Sequence, residues 1–362
     1  MTDWNLARDI GREMGLSRKS LCGHTRPVGS GYAVAVASAR AGLRLAVRAA
    51  RLRASAQCNR VLVPSYLCAT VSTALAKEGV VLDFYRVNSR LEVDVGDVSA
   101  RIAPDLLGVL IIRYFGFPLD QGLRDWLVKQ RNLFILEDRA HVPPWDEAPP
   151  APPISCAVYS PRKFASIPDF ALVSFAEQPP AIRVEDTPDR QFVLRRLLGL
   201  LCLGVYEDHR YGLALTLGRQ YLRRAEQDLD KRYSLARPSA WGMRAYASVD
   251  AGELCARRRR NYTSLLGKLR PTCLVQPLFG YLPDAMTPLG FPILSQERDR
   301  LRAYLIGNRI YPPVHWPLPA VVPHDEFPEA DKVSRSILTI PIDQRYDERD
   351  MCYVANVLNG FS

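Results

Sequence analysis

Leu133-Phe134-Ile135-Leu136-Glu137-Asp138-Arg139-Ala140-His141, then Ala157-Val158-Tyr159-Ser160-Pro161-Arg162-Lys163 and the apolar run Phe170–Phe175, form the stretch that decides the fold. An apolar run closed by an acid reads as a buried strand presenting Asp138 at its carboxyl end. A second strand and its loop then present Lys163. In a parallel sheet covered on both faces, ligands sit beyond the carboxyl ends of the strands. A lysine there suits imine formation with an aldehyde cofactor. An acid suits holding that cofactor's ring nitrogen protonated.

Upstream, the pattern supplies the rest of such a sheet. Arg60–Pro64, Val80–Val87 and Gly108–Ile112 read as short buried strands, with helices opening at Ser65 and spanning Asp120–Gln130. Asp138, Lys163, Arg113 and Ser65 all fall at or just past strand ends. Before them, Ser38-Ala39-Arg40-Ala41-Gly42 opens an apolar-periodic helix. Small residues at a helix start let backbone N–H groups approach an anion, and the helix dipole adds to the attraction. The other reading of Ser38 is an ordinary N-cap. A first helix is expected over Leu6–Met14, capped by Asp3 and stopped by Gly15.

Downstream, the six prolines of Pro143–Pro153 make a loop. Residues 181–232 have helical periodicity, many arginines and an apolar core from Leu197 to Leu203, which predicts a packed helical arm with snorkelling arginines. The last third, with strands at Phe291–Leu294 and Ile337–Ile342 and a closing helix at Asp347–Leu358, predicts a separate α+β unit. Arg257–Arg260 reads as a solvated helix face. The expected organisation is an N-terminal helical segment 1–25, a large unit 26–237 containing the arm, and a smaller α+β unit 238–362. The fold class is α/β, with a mostly parallel central sheet and helices on both faces.

Composition narrows the function. The 362 residues are 48% hydrophobic and 24% charged, which supplies a large core. The net charge of +10 suits an anionic small-molecule partner. The arginines are scattered and no nucleic-acid motif accompanies them, so no nucleic-acid partner is expected. Eight cysteines stand at least ten residues apart, which excludes a zinc spacing and predicts no metal. They read as reduced, mostly buried thiols. With no signal pattern after Met1, a cytoplasmic location is expected. The longest apolar stretch, Leu197–Tyr206, is far short of the ~20 residues that span a bilayer.

Taken in order and spacing, these segments resemble the DegT/DnrJ/StrS family of PLP-dependent sugar aminotransferases, of fold type I, over roughly residues 30–175. Ser38–Leu43 resembles the family's phosphate turn, Val61–Thr70 its strand and following helix, Tyr114–Asp120 its Tyr/His-x-Gly-x-Pro-x-Asp segment, and Ile135–His141 its Ile-Glu-Asp-x-Ala-His/Gln signature. Tyr159–Lys163 stands in the place of the Schiff-base lysine.

The resemblance implies pyridoxal 5'-phosphate held by Lys163 as a Schiff base, with Lys163 as proton carrier. Asp138 would pair with the ring nitrogen and His141 lie near the phenolic oxygen. The backbone amides of Ser38–Arg40, chiefly Ala39 and Arg40, would cradle the phosphate, with the Ser160 hydroxyl as a candidate addition. It implies transfer of an amino group from glutamate or glutamine to a keto-sugar nucleotide or related biosynthetic ketone, by a homodimer. Other PLP reactions (elimination, replacement, racemisation) and a non-catalytic scaffold are the alternatives, and a surface binder using the arginine-rich helices is a further one.

Five departures from the family pattern stand out. Arg40 replaces a threonine. Val158 replaces the serine five residues before the lysine. The ring-stacking aromatic falls at Cys68 by register, which leaves Tyr66 or Tyr114 as candidates. The glycine pair after the lysine gives way to Ile167–Ala171. The Asn/Arg loop that reaches a neighbouring subunit is not recognisable around Ser234–Arg244.

Overall fold

The computed structural model describes residues 9–16, 31–130, 132–185, 188–231 and 235–362. The large unit alternates strands and helices: β1 (Tyr32–Val36), α1 (Ala39–Arg51), β2 (Arg60–Pro64), α2 (Ala69–Ala76), β3 (Val81–Tyr85), α3 (Val95–Ala100), β4 (Leu106–Ile112), α4 (Gln121–Val128), β5 (Ile135–Arg139), β6 (Cys156–Tyr159) and β7 (Ala171–Phe175). The arm is α5 (Arg190–His209) and α6 (Gly212–Lys231). Then come α7 (Ala240–Ala247), α8 (Ala251–Lys268), β8 (Gln276–Pro277), β9 (Phe291–Leu294), α9 (Arg298–Gly307), α10 (Pro328–Ser336), β10 (Ile337–Ile340) and α11 (Glu348–Asn359).

Seven strands form one sheet in the order β1-β7-β6-β5-β4-β2-β3. The strands from β3 through β6 pair in parallel, and β7 and β1 close the other edge antiparallel. The apolar runs are continuous because both faces are covered. Val158 and Val173 point toward α1, while Ala157, Tyr159 and Leu172 point to the opposite face and pack with Ala245 and Tyr246 of α7. A Cβ on Gly42 would stand 2.9 Å from Val158 and 3.0 Å from Val173. The valine standing for the family's serine is therefore a core residue that seats α1 on the sheet. The α+β unit carries a three-stranded antiparallel sheet, β10-β9-β8.

Three expectations are corrected. Asp9–Leu16 is not helical: it runs irregularly, and Ile10 bridges to Ile310. The remainder of the expected N-terminal helix, with Asp3, lies outside the described residues. Arg257–Arg260 is not uniformly solvated. Arg257 and Arg260 reach Glu253 on the surface, but Arg258 turns inward, is buried, and donates to the Leu289 carbonyl at 2.7 Å. A cation at that depth is tolerated because carbonyls and the nearby Asp343 compensate it. Of the described cysteines only Cys156 and Cys255 are buried.

α5 and α6 form a helical hairpin within the segment read as a helical arm, and no described helix is long and apolar enough to cross a membrane. α7, which lies beyond the boundary expected near Pro238, packs on the large sheet, with Tyr246 stacked on Phe170 at 4.1 Å. The segment in place of the glycine pair thus fills the sheet's second face.

Asp169 in that segment is fully buried and accepts bonds from the Ser239 N–H at 2.6 Å and the Ser239 hydroxyl at 2.5 Å. Burial raises its pKa to about 6, outweighing Ser239 and the arginines Arg162 and Arg196. The folded value lies above the unfolded carboxylate's, so this contribution to stability is complete below about pH 4 and is lost as pH rises through 6. Two units correspond to about 3 kcal/mol. Asp169→Asn is expected to remove that slope from stability measured by denaturant titration between pH 4 and 7. An unchanged slope would show that Asp169 ionises freely in the fold.

Candidate active site

A cavity of about 770 Å³ opens beyond the carboxyl ends of β5 and β6. Asp138 stands near the end of β5, held in register by Ile112 on one side and Val158 on the other. One of its oxygens accepts the Ala140 N–H at 2.8 Å, and the other has no donor among the described residues. Burial raises its pKa, and the nearby charge of Lys163 opposes the rise.

Lys163 closes a single 3-10 turn, Pro161–Lys163, after β6. Its amine is in no ion pair or hydrogen bond among the described residues, and its side chain lies open to the cavity. The protein surrounding the cavity nonetheless crowds the amine, and this desolvation is the main cause of its lowered pKa. Arg162 and Arg40 push it further down, while Asp138 and Cys68 push it back. A lysine of this kind gives up its proton more readily than a surface lysine and can act as nucleophile and base.

His141 is buried against the same wall. Its Nδ1 accepts the Phe115 N–H at 3.0 Å, so Nε2 carries the proton. That Nε2 is buried with no partner among the described residues. Burial, then the charge of Lys163, holds the ring neutral well below the usual histidine range. The Phe115 N–H points at His141 because Phe115 adopts φ 55°. Gly116 follows at φ +90°, where a Cβ would meet the His141 carbonyl at 2.8 Å and the Thr287 carbonyl at 3.0 Å. Only glycine fits that approach without displacing backbone.

The other expected groups divide. Ser38, Ala39, Arg40 and Ser160 line the cavity. The Ser38 hydroxyl caps α1 by accepting the Ala41 N–H at 3.2 Å, while the Ser160 hydroxyl has no partner among the described residues. Arg40 points toward the arm and meets Glu226 at 3.2 Å. Tyr66 is not at the cavity. It is fully buried behind it, where its hydroxyl accepts the Trp316 N–H at 2.8 Å and donates to the His315 carbonyl. Tyr114 is buried too, donating to the Tyr66 carbonyl. Arg113 faces away from the cavity and pairs with Glu137 and Glu147, and Ser65 is buried.

The aromatic ring on the wall beside Lys163 and His141 is Trp316, which the sequence reading missed. Its ring stacks on His141 at 5.3 Å and lies 6.0 Å from the Lys163 amine. Its neighbour His315 also lines the cavity, holds Thr339 Oγ1 at 2.8 Å through Nδ1, and is kept neutral to about 3, by burial and then by Lys163. The available signal was a His-Trp pair set among prolines in Pro312–Pro317, which nothing in its own stretch joins to Asp138 or Lys163.

The donors present fit pyridoxal 5'-phosphate. There is an unpaired lysine, a carboxylate with a free oxygen, an orphaned imidazole N–H, and a helix N-terminus beside a free serine hydroxyl. No group of described residues has the makings of a metal site.

The fold is fold type I, as in the solved structures named below. Residues 23–175 match the model of the DegT/DnrJ/EryC1/StrS aminotransferase family. That match spans less than half of the chain. No curated protein sequence matches it significantly.

Among similar solved structures is the sugar aminotransferase CalS13 from Micromonospora echinospora, at 17% identity and TM-score 0.62, covering 91% of this chain and 87% of that one. DesV of S. venezuelae matches at 18% and TM-score 0.63, covering 92% and 85%. Spr1654 from Streptococcus pneumoniae, in its PMP form, matches at 14% and TM-score 0.65, covering 94% and 87%. Identities this low carry the fold and nothing finer.

Proposed function

We propose that the protein transfers an amino group from glutamate or glutamine to a keto-sugar nucleotide or a related biosynthetic ketone, working as a homodimer. The observation that carries this reading is Asp138, with one carboxylate oxygen without a donor among the described residues, and the Lys163 amine facing the same cavity. The family match and the folds named above support the class of reaction. The cavity's arginines, among them Arg12, Arg40, Arg162 and Arg258, favour an anionic substrate.

PLP, when bound, supplies an aldehyde carbon and a protonated ring that accepts electrons. Lys163 would attach to that carbon and, once released by the amino substrate, carry a proton to and from the reacting carbon. Its lowered pKa keeps a fraction of the amine unprotonated for this task. Asp138 would hold the proton on the ring nitrogen. His141, kept neutral, would donate from Nε2 to the phenolic oxygen without adding a charge. Ala39, Arg40 and Ser160 would bind the phosphate, and Trp316 would cover the ring in place of the aromatic missing at Cys68.

The test is titration of purified protein with PLP, followed by borohydride and peptide mass mapping. Fixation on Lys163, absorbance change on adding glutamate, and elution from a sizing column at twice the chain mass are expected. Protein that stays colourless with PLP would overturn the cofactor reading. Colour without response to any amino donor would turn it toward elimination, replacement or racemisation.

A further inference from the structure

The arm carries a feature that the transferase reading does not use. Glu226 of α6 lies on the cavity wall between three guanidinium groups from three different elements. It meets Arg162, next to Lys163, at 2.6 Å, Arg40 of the α1 first turn at 3.2 Å, and Arg196 of α5 at 3.6 Å. These side chains are little exposed, at 15%, 15% and 4%. Their other acidic contacts are rim residues: Asp230 with Arg40 at 3.4 Å and Glu13 with Arg196 at 2.9 Å, each about half exposed and screened by water.

Among the described residues Glu226 is the one acid in contact with all three groups, while Asp230, Glu13 and the nearby buried Asp169 offset part of their charge. One donor of the cluster, Arg162 Nε, is buried with no acceptor among the described residues. The cluster borders the free first-turn amides of α1 and the Ser160 hydroxyl. A dianion with several acceptor oxygens matches the guanidinium cluster and its unused donors. Such a dianion next to Glu226 meets like-charge repulsion in a poorly hydrated place.

We propose that Glu226 and a phosphate dianion compete for Arg40 and Arg162, so that the arm's α6 is an internal anion that weakens the protein's grip on phosphate until it yields those arginines. The phosphate source to which this applies is the cofactor's own, so the inference rests on the PLP reading. Inorganic phosphate is the probe that separates the two.

In Glu226→Gln the shape and one acceptor remain while the charge is lost. It is expected to bind inorganic phosphate, measured by calorimetry on the full chain, at least about tenfold more tightly than wild type. PLP is expected to tighten similarly, and pyridoxal, which lacks the phosphate, to be unchanged. Equal or weaker phosphate binding in the variant would overturn the inference, whether or not PLP binds. Tightening of pyridoxal to the same degree would overturn it too, because the effect would not reside in the phosphate. Wild-type protein that binds phosphate but forms no borohydride-fixed adduct with PLP would fell the cofactor reading alone.

Hydrogen exchange on wild-type protein provides a measurement free of any folding defect in the variant. Amides of α6 around Glu226 are expected to exchange faster with phosphate bound. Slower or unchanged exchange there would count against the competition.

Discussion

Lys163→Ala is expected to lower amino transfer by about four orders of magnitude and to leave no PLP fixed to the chain by borohydride. The size follows from the two tasks assigned to one side chain. Among the described residues Lys163 is the only lysine on the cavity wall, so none of these neighbours can take over attachment. The nearest bases, His141 and His315, are buried and held neutral, and the proton-bearing Nε2 of His141 has nothing to accept with. Because Lys163 is in no described ion pair, its loss is expected to change stability by less than about 1 kcal/mol. A variant that unfolds, or that retains more than a hundredth of the activity, would contradict the assignment. Added ethylamine is expected to restore part of the rate, since a small amine can enter the space and carry the proton.

Asp138→Asn is expected to reduce amino transfer by about a thousandfold while leaving Lys163 able to be fixed to PLP. The charges around Lys163 explain why the two variants differ. Asp138 raises the lysine's pKa, against desolvation and against Arg162 and Arg40. Without that carboxylate the amine loses its proton more easily, so attachment does not suffer. What is lost is the negative partner for the ring nitrogen, which the amide cannot replace. A cofactor analogue without the ring nitrogen's proton should then behave alike in wild type and variant. If Asp138→Asn instead blocked attachment and left the rate of attached enzyme intact, Asp138 would be a positioning residue for Lys163.

Much of the architecture was legible in the chain because it is built from local patterns. Apolar runs closed by charged residues at Arg60–Pro64, Leu106–Ile112 and Ile135–Arg139 became parallel strands, and Ser38 became the cap of α1. The Asp138–Lys163 juxtaposition was legible for the same reason: both residues end neighbouring strands, so pairing Asp138 with Val158 brings the two loops to one edge. The left-handed turn at Phe115-Gly116 was partly legible, since a glycine there anticipates a close approach.

The rest depended on contacts between segments far apart in sequence. Tyr66 looked like a cofactor aromatic from its place after a strand, yet its hydroxyl found the backbone of Trp316, 250 residues away, and the tyrosine went into the core. Trp316 took the place on the wall. Val158 stood out as a departure from the family's serine and is the surface on which Gly42 packs. Glu226 has no signal in its own stretch, and only folding of the arm set it among Arg40, Arg162 and Arg196.

The sequence by itself determined the elements, the sheet and the acid–lysine pair, because hydrophobic periodicity and strand order are written in short stretches. The tertiary structure decided which aromatic, which imidazole and which anion meet that pair. Those contacts depend on where the arm and the C-terminal unit come to rest, and no local periodicity encodes that.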